Sequence, residues 1–240
     1  MNFLHNLVEY YDELYPTTDE QLAFIEDICK GFSTPNKILQ IGSGSGQLSY
    51  RLAKRGKDVT GIEMSQPLLT CSSLKRRFQL LSIRFFKMSA LEMNKYLGKS
   101  YYNVIMCLNN RLVSVRDEES AEKVLKNCKE LLSKNGKMII STYNYEYLKK
   151  GNKPSIKKSE RVALVTNIEF KSDTKAIITQ TIDAYSKKIP VFENMEILPV
   201  TKQLLIELAN KAGFTKIDFY GDYKKTPLSD NSEEIICVLE

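Results

Sequence analysis

A chain of 240 residues with 42% apolar and 27% charged residues has the make-up of an ordinary globular protein, long enough for one domain with a full core or one domain plus an insert, and this composition argues against a disordered chain. The net charge of +6 comes from lysines spread along the chain, modestly concentrated at Lys149 to Lys158 and Lys187-Lys188; no basic stretch is interleaved with stacking aromatics, which argues against nucleic acid as the main substrate. Five scattered cysteines (Cys29, Cys71, Cys107, Cys128, Cys237) without a C-x-x-C pair, no signal-peptide pattern and no apolar run of membrane-spanning length predict a reduced, cytoplasmic protein with no metal site, no disulfides and no membrane partner.

Residues 1–33 read as an amphipathic helical cap. Phe3, Leu4 and Leu7 begin one face; Leu22, Ile25, Ile28 and Cys29 carry a second helix, with a break at Tyr10 to Pro16. His5, the sole histidine, fits a helix residue better than a base.

The apolar run Ile38, Leu39, Ile41 leads directly into Gly42-Ser43-Gly44-Ser45-Gly46, and Leu48, Leu52 and Ala53 follow at helical spacing. This is a strand, a tight glycine turn and a helix. Asp58 to Glu63 reads as a second strand ending in an acid. A carboxylate about 20 residues beyond a glycine turn can reach a ribose diol bound over that turn, which points to an adenosine-containing ligand. The glycines run G-x-G-x-G, with Gln47 where a dinucleotide site has its third glycine, and no P-loop lysine is present. The plainer alternatives are a turn that only packs helix on sheet and a solvated strand-end acid at Glu63.

Pro67 to Leu74 predicts a helix, Ile83 to Lys87 a third strand and Tyr101 to Cys107 a fourth. Ala121, Val124, Leu125, Cys128 and Leu131 place a helix over 119–132, ended by a glycine turn at Lys134-Asn-Gly136, and Lys137 to Tyr143 is the fifth strand. Strands alternating with helices imply parallel crossovers. The rhythm changes after Tyr147. Residues 148–160 read as a mobile polar loop. Val162 to Phe170 and Ala176 to Tyr185 read as a hairpin about Lys171 to Lys175, and Val191 to Leu198 as a third strand. Such an insert either walls a ligand cleft or shields a sheet edge, where it could also form a homodimer contact. A helix over 201–212, capped by Thr201 and ended by Gly213, and strands at Phe214 to Tyr220 and Glu234 to Leu239 complete the chain.

The order of strand, G-x-G-x-G turn, helix and distal acid resembles the class I S-adenosylmethionine-dependent methyltransferases, and the terminal helix, strand and reversed strand extend the resemblance over nearly the whole chain. The resemblance implies a single methyltransferase domain over 1–240, with a cap at 1–33 and an insert at 148–200. The fold implied is α/β: a Rossmann-like, doubly wound, seven-stranded, mostly parallel sheet with an antiparallel β insert. Ala212-Gly213-Phe214 and Tyr220-Gly221-Asp222-Tyr223 are similar to the terminal stretch of the small-molecule, glycine/sarcosine N-methyltransferase-like branch.

That family places S-adenosylmethionine on residues matched here by Gly42, Ser43, Gly44, Gly46, Glu63, Met64, Ser89, Ala90, Leu108 and Asn110. Glu63 would accept from both ribose hydroxyls, and Met64 could pack on adenine. Two acids of the pattern are missing. Gln40 replaces the first acid of E/D-x-G-x-G-x-G, and Ser89 stands where an Asp usually meets adenine; neither brings a charge. Both departures leave room for weaker cofactor binding or a changed ligand.

No catalytic residue is assigned, because methyl transfer needs little acid–base help once the acceptor faces the methyl group. Tyr11, Tyr15, Tyr143 and Tyr145 are candidate substrate contacts, with Tyr223 also near the terminal turn. Arg111 could bind a substrate carboxylate if it points inward; the blander reading, preferred here, is a surface arginine. The Asn109-Asn110-Arg111 run lacks the paired prolines of exocyclic-amine nucleic-acid methyltransferases, and Met106-Cys107 lacks the Pro-Cys nucleophile of the pyrimidine enzymes. The expected function is methyl transfer to an amine or oxygen of a small molecule. The alternatives are an RNA or protein methyltransferase, or a non-catalytic S-adenosylmethionine-binding regulatory module.

Overall fold

The computed structural model describes residues 7–76, 81–185 and 187–240. The readings at Phe3, Leu4 and His5 lie outside the described residues. Among the described residues no helix is long and apolar enough to cross a membrane.

After a short helix α1 (Tyr11–Leu14), α2 (Asp19–Cys29) begins where the Thr18 side chain accepts a hydrogen bond from the Gln21 amide. Then follow β1 (Lys37–Ile41), α3 (Gln47–Lys54), β2 (Asp58–Glu63), α4 (Gln66–Arg76), β3 (Ile83–Lys87), β4 (Tyr102–Cys107), α5 (Glu118–Leu131) and β5 (Leu132–Tyr143). A one-turn helix α6 (Tyr145–Lys149) leads to β6 (Lys157–Lys158), β7 (Val162–Phe170), β8 (Ala176–Ala184) and β9 (Lys187–Ile197). The chain closes with α7 (Lys202–Lys211), β10 (Ile217–Tyr220) and β11 (Glu234–Leu239).

Two sheets result. The seven-stranded sheet has the order β10-β11-β5-β4-β1-β2-β3, with β11 antiparallel to both neighbours and the rest parallel. Its central strands are apolar on both faces because helices cover both. Ile38, Val59 and Val104 face Leu22, Ile25, Leu48 and Leu52 of α2 and α3. Leu39, Ile105 and Ile140 face Val124, Leu125, Leu205 and Leu208 of α5 and α7. The order in which strands are added reverses between the parallel neighbours β1 and β4, so a crevice opens at their carboxyl ends, the usual ligand position in such sheets.

The second sheet, β6-β7-β8-β9, is antiparallel throughout. Val162, Leu164, Ile182 and Val191 pack against Leu7, Tyr10 and Leu14, so insert and N-terminal segment form one small core. The polar stretch 148–160 is partly ordered by α6 and β6.

One local expectation is corrected at the end of α5. Gly136 does not end the helix; β5 starts at once with Leu132, and the pairing to β4 shifts between Tyr102 and Val104. Asn135 takes the left-handed backbone there. A Cβ on Gly136 would meet the Ser133 and Tyr102 carbonyls, so this glycine serves close backbone approach. Similarly, α5 is capped by Asp117, which accepts from the Ser120 amide at 2.7 Å.

Candidate active site

The glycine turn stands at the carboxyl end of β1. Gly42, Gly44 and Gly46 all have positive φ (65°, 59° and 79°), where an L side chain is strained. Their surroundings differ. A Cβ on Gly42 would lie 3.0 Å from Arg111 Cγ, one on Gly44 would run into the Tyr11 phenol, and one on Gly46 would meet Phe85 and Ser72.

Glu63, at the end of β2, turns back over this turn. Its Oε2 accepts from the Gly44 amide at 2.9 Å, and its Oε1 accepts from the Met64 and Ser65 amides, also at 2.9 Å. Only 7% exposed, it is a buried carboxylate held by three backbone donors.

After β4, Asn109 and Asn110 both adopt left-handed backbone (φ 55° and 61°). Ser141 fixes them: its hydroxyl accepts from the Asn109 amide and its carbonyl from the Asn110 amide. The Asn110 side chain is bound on β5, accepting from Thr142 Oγ1 at 2.6 Å and donating to the Tyr145 hydroxyl at 3.0 Å. This double left-handed step reverses the chain and turns Arg111 inward. The Arg111 stem lies on Gly42, Nη2 donates to the Tyr11 hydroxyl at 2.8 Å, and Nε is buried without a partner.

Between these groups lies a cavity of about 400 Å³. One end is formed by Gly42, Glu63, Met64, Ser65, Ser89 and Ala90, the other by Tyr15, Tyr143 and the insert residues Ile178, Gln180, Phe192 and Met195; Asn109, Asn110 and Arg111 join the two. A second, water-sized hollow of about 10 Å³ shares Tyr15, Asn110 and Tyr143 with it and is closed by Lys157 and Glu234.

Residues 38–136 match the family model of the methyltransferase domain. Over that stretch the chain is similar to the methyltransferase domain family. The ubiquinone biosynthesis O-methyltransferase of Histophilus somni (strain 2336) is 33% identical over 135 residues, 55% of this chain and 53% of that protein. The chain spans about half the length of the curated relatives it matches. Among solved structures, an S-adenosylmethionine-dependent methyltransferase from Clostridium acetobutylicum ATCC 824 superposes with a TM-score of 0.79 at 17% identity, covering 100% of this chain and 99% of that one. The S-adenosylmethionine-bound amino pentose methyltransferase CalS10 of Micromonospora echinaspora gives 0.71 at 11% identity, covering 98% and 97%. At such identities the structures establish the fold, which is the Rossmann-like methyltransferase fold.

S-adenosylmethionine, the cofactor that proteins of this fold bind, fits the residues around the cavity. The cavity falls in the usual range for a ligand site. Glu63 could accept a ribose hydroxyl through Oε2, the freer acceptor, since Oε1 already serves two amides. Ser65 and Arg111 line the cavity and each carries a buried polar atom, the Ser65 hydroxyl and Arg111 Nε, without a protein partner among the described residues.

Of the expected cofactor residues, Gly42, Glu63, Met64, Ser89, Ala90 and Asn110 line the cavity. Met64 is 58% exposed, an unusual state for a thioether that nothing in the protein covers. The Ser89 hydroxyl accepts from the Leu91 amide at 3.2 Å. Ser43 points down onto Gly61 of β2, Gly46 packs on Phe85 and Ser72, and Leu108 is buried in the core between β4 and the α2–α3 layer; none of the three is on the cavity wall. Gly44 lies beneath Tyr11.

Of the expected substrate residues, Tyr15 and Tyr143 line the cavity, and burial pushes the Tyr143 phenol up to about 12. Tyr145 does not reach it. It is 0% exposed and its hydroxyl is spent on Asn110, so it acts as a positioning residue for the Asn110 turn. Tyr11 belongs to the cap and touches the site through Arg111. Tyr223 packs edge-on to Phe24, with Gln21 donating to its hydroxyl, outside the cavity. The preferred surface reading of Arg111 is overturned, because the Asn109–Asn110 step aims it at the glycine turn.

The sequence reading missed the latch that holds the cap down. Ser45 donates to Asp12, Lys75 pairs with Asp12 at 2.6 Å, and the Thr17 amide donates to Gln47 Oε1 at 2.6 Å. On the other side Glu13 pairs with Arg161 and accepts from Ser159. Each contact joins residues about 30 or more positions apart, so no local pattern signals it. The insert is thereby the wall of the cavity and not only an edge shield.

Proposed function

We propose that this chain transfers a methyl group from S-adenosylmethionine to an amine or oxygen of a small molecule. The observation that carries the reading is the enclosure of one cavity whose nucleoside end is Glu63 and the glycine turn and whose opposite wall is the latched cap and the insert sheet. A roofed cavity of this size suits a small acceptor better than a polymer.

When bound, the cofactor supplies an electrophilic methyl group on a sulfonium. The chain's part is to position and to exclude water. Glu63 fixes the nucleoside by its ribose. Asn109 and Asn110 hold the wall between the two ends of the cavity. Tyr15 and Tyr143 offer aromatic faces that favour a cationic centre, with the Gln180 amide as a polar handle between them. Neither phenol is suited to act as a base, since burial raises both. Orientation and desolvation therefore supply the rate enhancement.

The glycine/sarcosine N-methyltransferase-like branch remains part of this proposal. Its support is the terminal motif, which in the fold serves as scaffold: Tyr223 braces α2. Ubiquinone biosynthesis O-methyltransferases and an amino pentose methyltransferase among the similar proteins keep both oxygen and nitrogen acceptors open. A nucleic-acid substrate is disfavoured because the lysine-rich stretch is largely engaged: Lys149 with Asp173, Lys150 with Asp230, and Lys157 over the Tyr15 ring.

Titration calorimetry with S-adenosylmethionine and S-adenosylhomocysteine, followed by a methyl-uptake screen of small amines, alcohols and carboxylates, tests the proposal. Binding with uptake by a small acceptor is expected. No heat with either nucleoside rejects it.

A further inference from the structure

Arg111 is the one cavity residue whose chemistry the reading above leaves unused. Its stem rests on Gly42, with Cγ and Cδ 3.0 and 3.3 Å from the position a Cβ would take there. The stem thus lies over the first glycine of the turn, and the guanidinium reaches the Tyr11 hydroxyl, which sits over Gly44. Only Nη2 has a protein partner, the neutral Tyr11 hydroxyl. Nε is buried and unbonded; the Glu63 carboxylate acts on this charge electrostatically, but among the described residues no carboxylate makes a direct ion pair with it. A guanidinium on the cavity wall with no carboxylate in direct contact has donors to offer the two oxygens of a ligand carboxylate.

The anion that acts on this guanidinium is Glu63, itself held by three amides. Position 40, beneath the turn, holds a neutral amide whose Oε1 accepts from the Ser49 hydroxyl at 2.6 Å; Gln40 is buried and does not line the cavity. The turn therefore presents one fixed cation and no fixed anion other than Glu63, which three amides already hold.

Resting on the cofactor reading above, we propose that Arg111 grips the amino-acid tail of S-adenosylmethionine by its carboxylate, and that this grip, rather than any contact to the tail's ammonium group, sets the tail's share of affinity. The loss of the acid at position 40 and the inward arginine at 111 are then one change: the site exchanges recognition of the cationic end for recognition of the anionic end. Tyr11 is a positioning residue that keeps the guanidinium on the turn.

Calorimetry on the full chain with three probes tests this: S-adenosylhomocysteine, decarboxylated S-adenosylmethionine (ammonium kept, carboxylate absent) and 5′-methylthioadenosine (no tail). The wild type should bind S-adenosylhomocysteine about tenfold or more tighter than decarboxylated S-adenosylmethionine, which should bind no better than methylthioadenosine. Arg111→Met, which keeps the stem on Gly42, should weaken S-adenosylhomocysteine by about ten- to a hundredfold and leave methylthioadenosine unchanged. Arg111→Lys should recover only part, since an ammonium cannot offer the paired donors. Equal losses for all three probes, or full affinity of Arg111→Met for S-adenosylhomocysteine, overturn the proposal. Failure of the wild type to bind any of the three probes would instead defeat the cofactor reading itself.

Discussion

The Tyr11 hydroxyl occupies the space that a side chain on Gly44 would need. The cap is therefore not merely near the glycine turn but seated in it. Gly44→Ala adds a methyl group to a left-handed position and drives it against that phenol, and the expected cost is about 1–3 kcal/mol. In a Tyr11→Ala background the steric part should vanish and a smaller backbone cost remain. Denaturant titration of the two single variants and the double variant measures the coupling; additive losses would mean the contact is not made in solution.

Glu63→Ala should lower the affinity for S-adenosylhomocysteine by at least about tenfold, through loss of a charge-assisted acceptor. It should also destabilise the fold, because the Gly44, Met64 and Ser65 amides lose their acceptor. Glu63→Gln keeps one carbonyl oxygen and should be the milder of the two. Unchanged affinity in a folded Glu63→Ala protein would place the ribose elsewhere.

Asp12 ties α1 to Ser45 and Lys75, but the pair is partly exposed, so its removal should change global stability by no more than about 1 kcal/mol. The local effect should be larger. Asp12→Ala is expected to speed amide hydrogen exchange in α1 and in the glycine turn while leaving the β4–β5 core unaffected. Exchange that stays slow in α1 would show that the apolar contacts of Leu7, Tyr10 and Leu14 suffice to hold the cap.

Burial raises the Glu234 carboxyl above its ordinary value, with Lys157 opposing. A raised carboxyl stabilises the fold below the unfolded-state value of ~4.3 and loses that contribution as pH climbs through its folded-state value. Glu234→Gln should therefore flatten the decline of stability above about pH 4.3 and match or exceed wild-type stability at neutral pH. Thermal melts across pH 4 to 8 provide the check, and a variant less stable than wild type at pH 7 would contradict it.

Cys29, Cys107, Cys128 and Cys237 are buried, and burial holds each thiol above its normal range, Cys29 at about 11 and Cys107 at about 12. Cys71 alone is partly exposed. Iodoacetamide on the native protein should modify Cys71 and spare the others until unfolding, as peptide mapping would show.

How far the site was legible in the sequence depends on the range of the forces involved. Glu63 and the glycine turn could be found because a strand, a left-handed turn and a helix leave local marks: an apolar run, residues without a Cβ, and an apolar period of three to four. The Thr201 cap was legible for the same reason, its hydroxyl bonding the Leu204 amide three residues on. Arg111 and Tyr145 were misjudged because their directions are set from afar. Asn110 is held by Thr142 and Tyr145, and only that hold decides which way the next side chain points.

The sequence by itself determined the alternation of strands and helices, the place of the turn and the acid that faces it, since each is written in neighbouring residues. The tertiary structure alone decided that Tyr145 is a buried brace, that Arg111 enters the cavity, and that Asp12, Ser45 and Lys75 lock a lid over it. Those outcomes rest on contacts between segments distant in the chain, and such contacts exist only once the sheet has brought β1, β4 and β5 side by side.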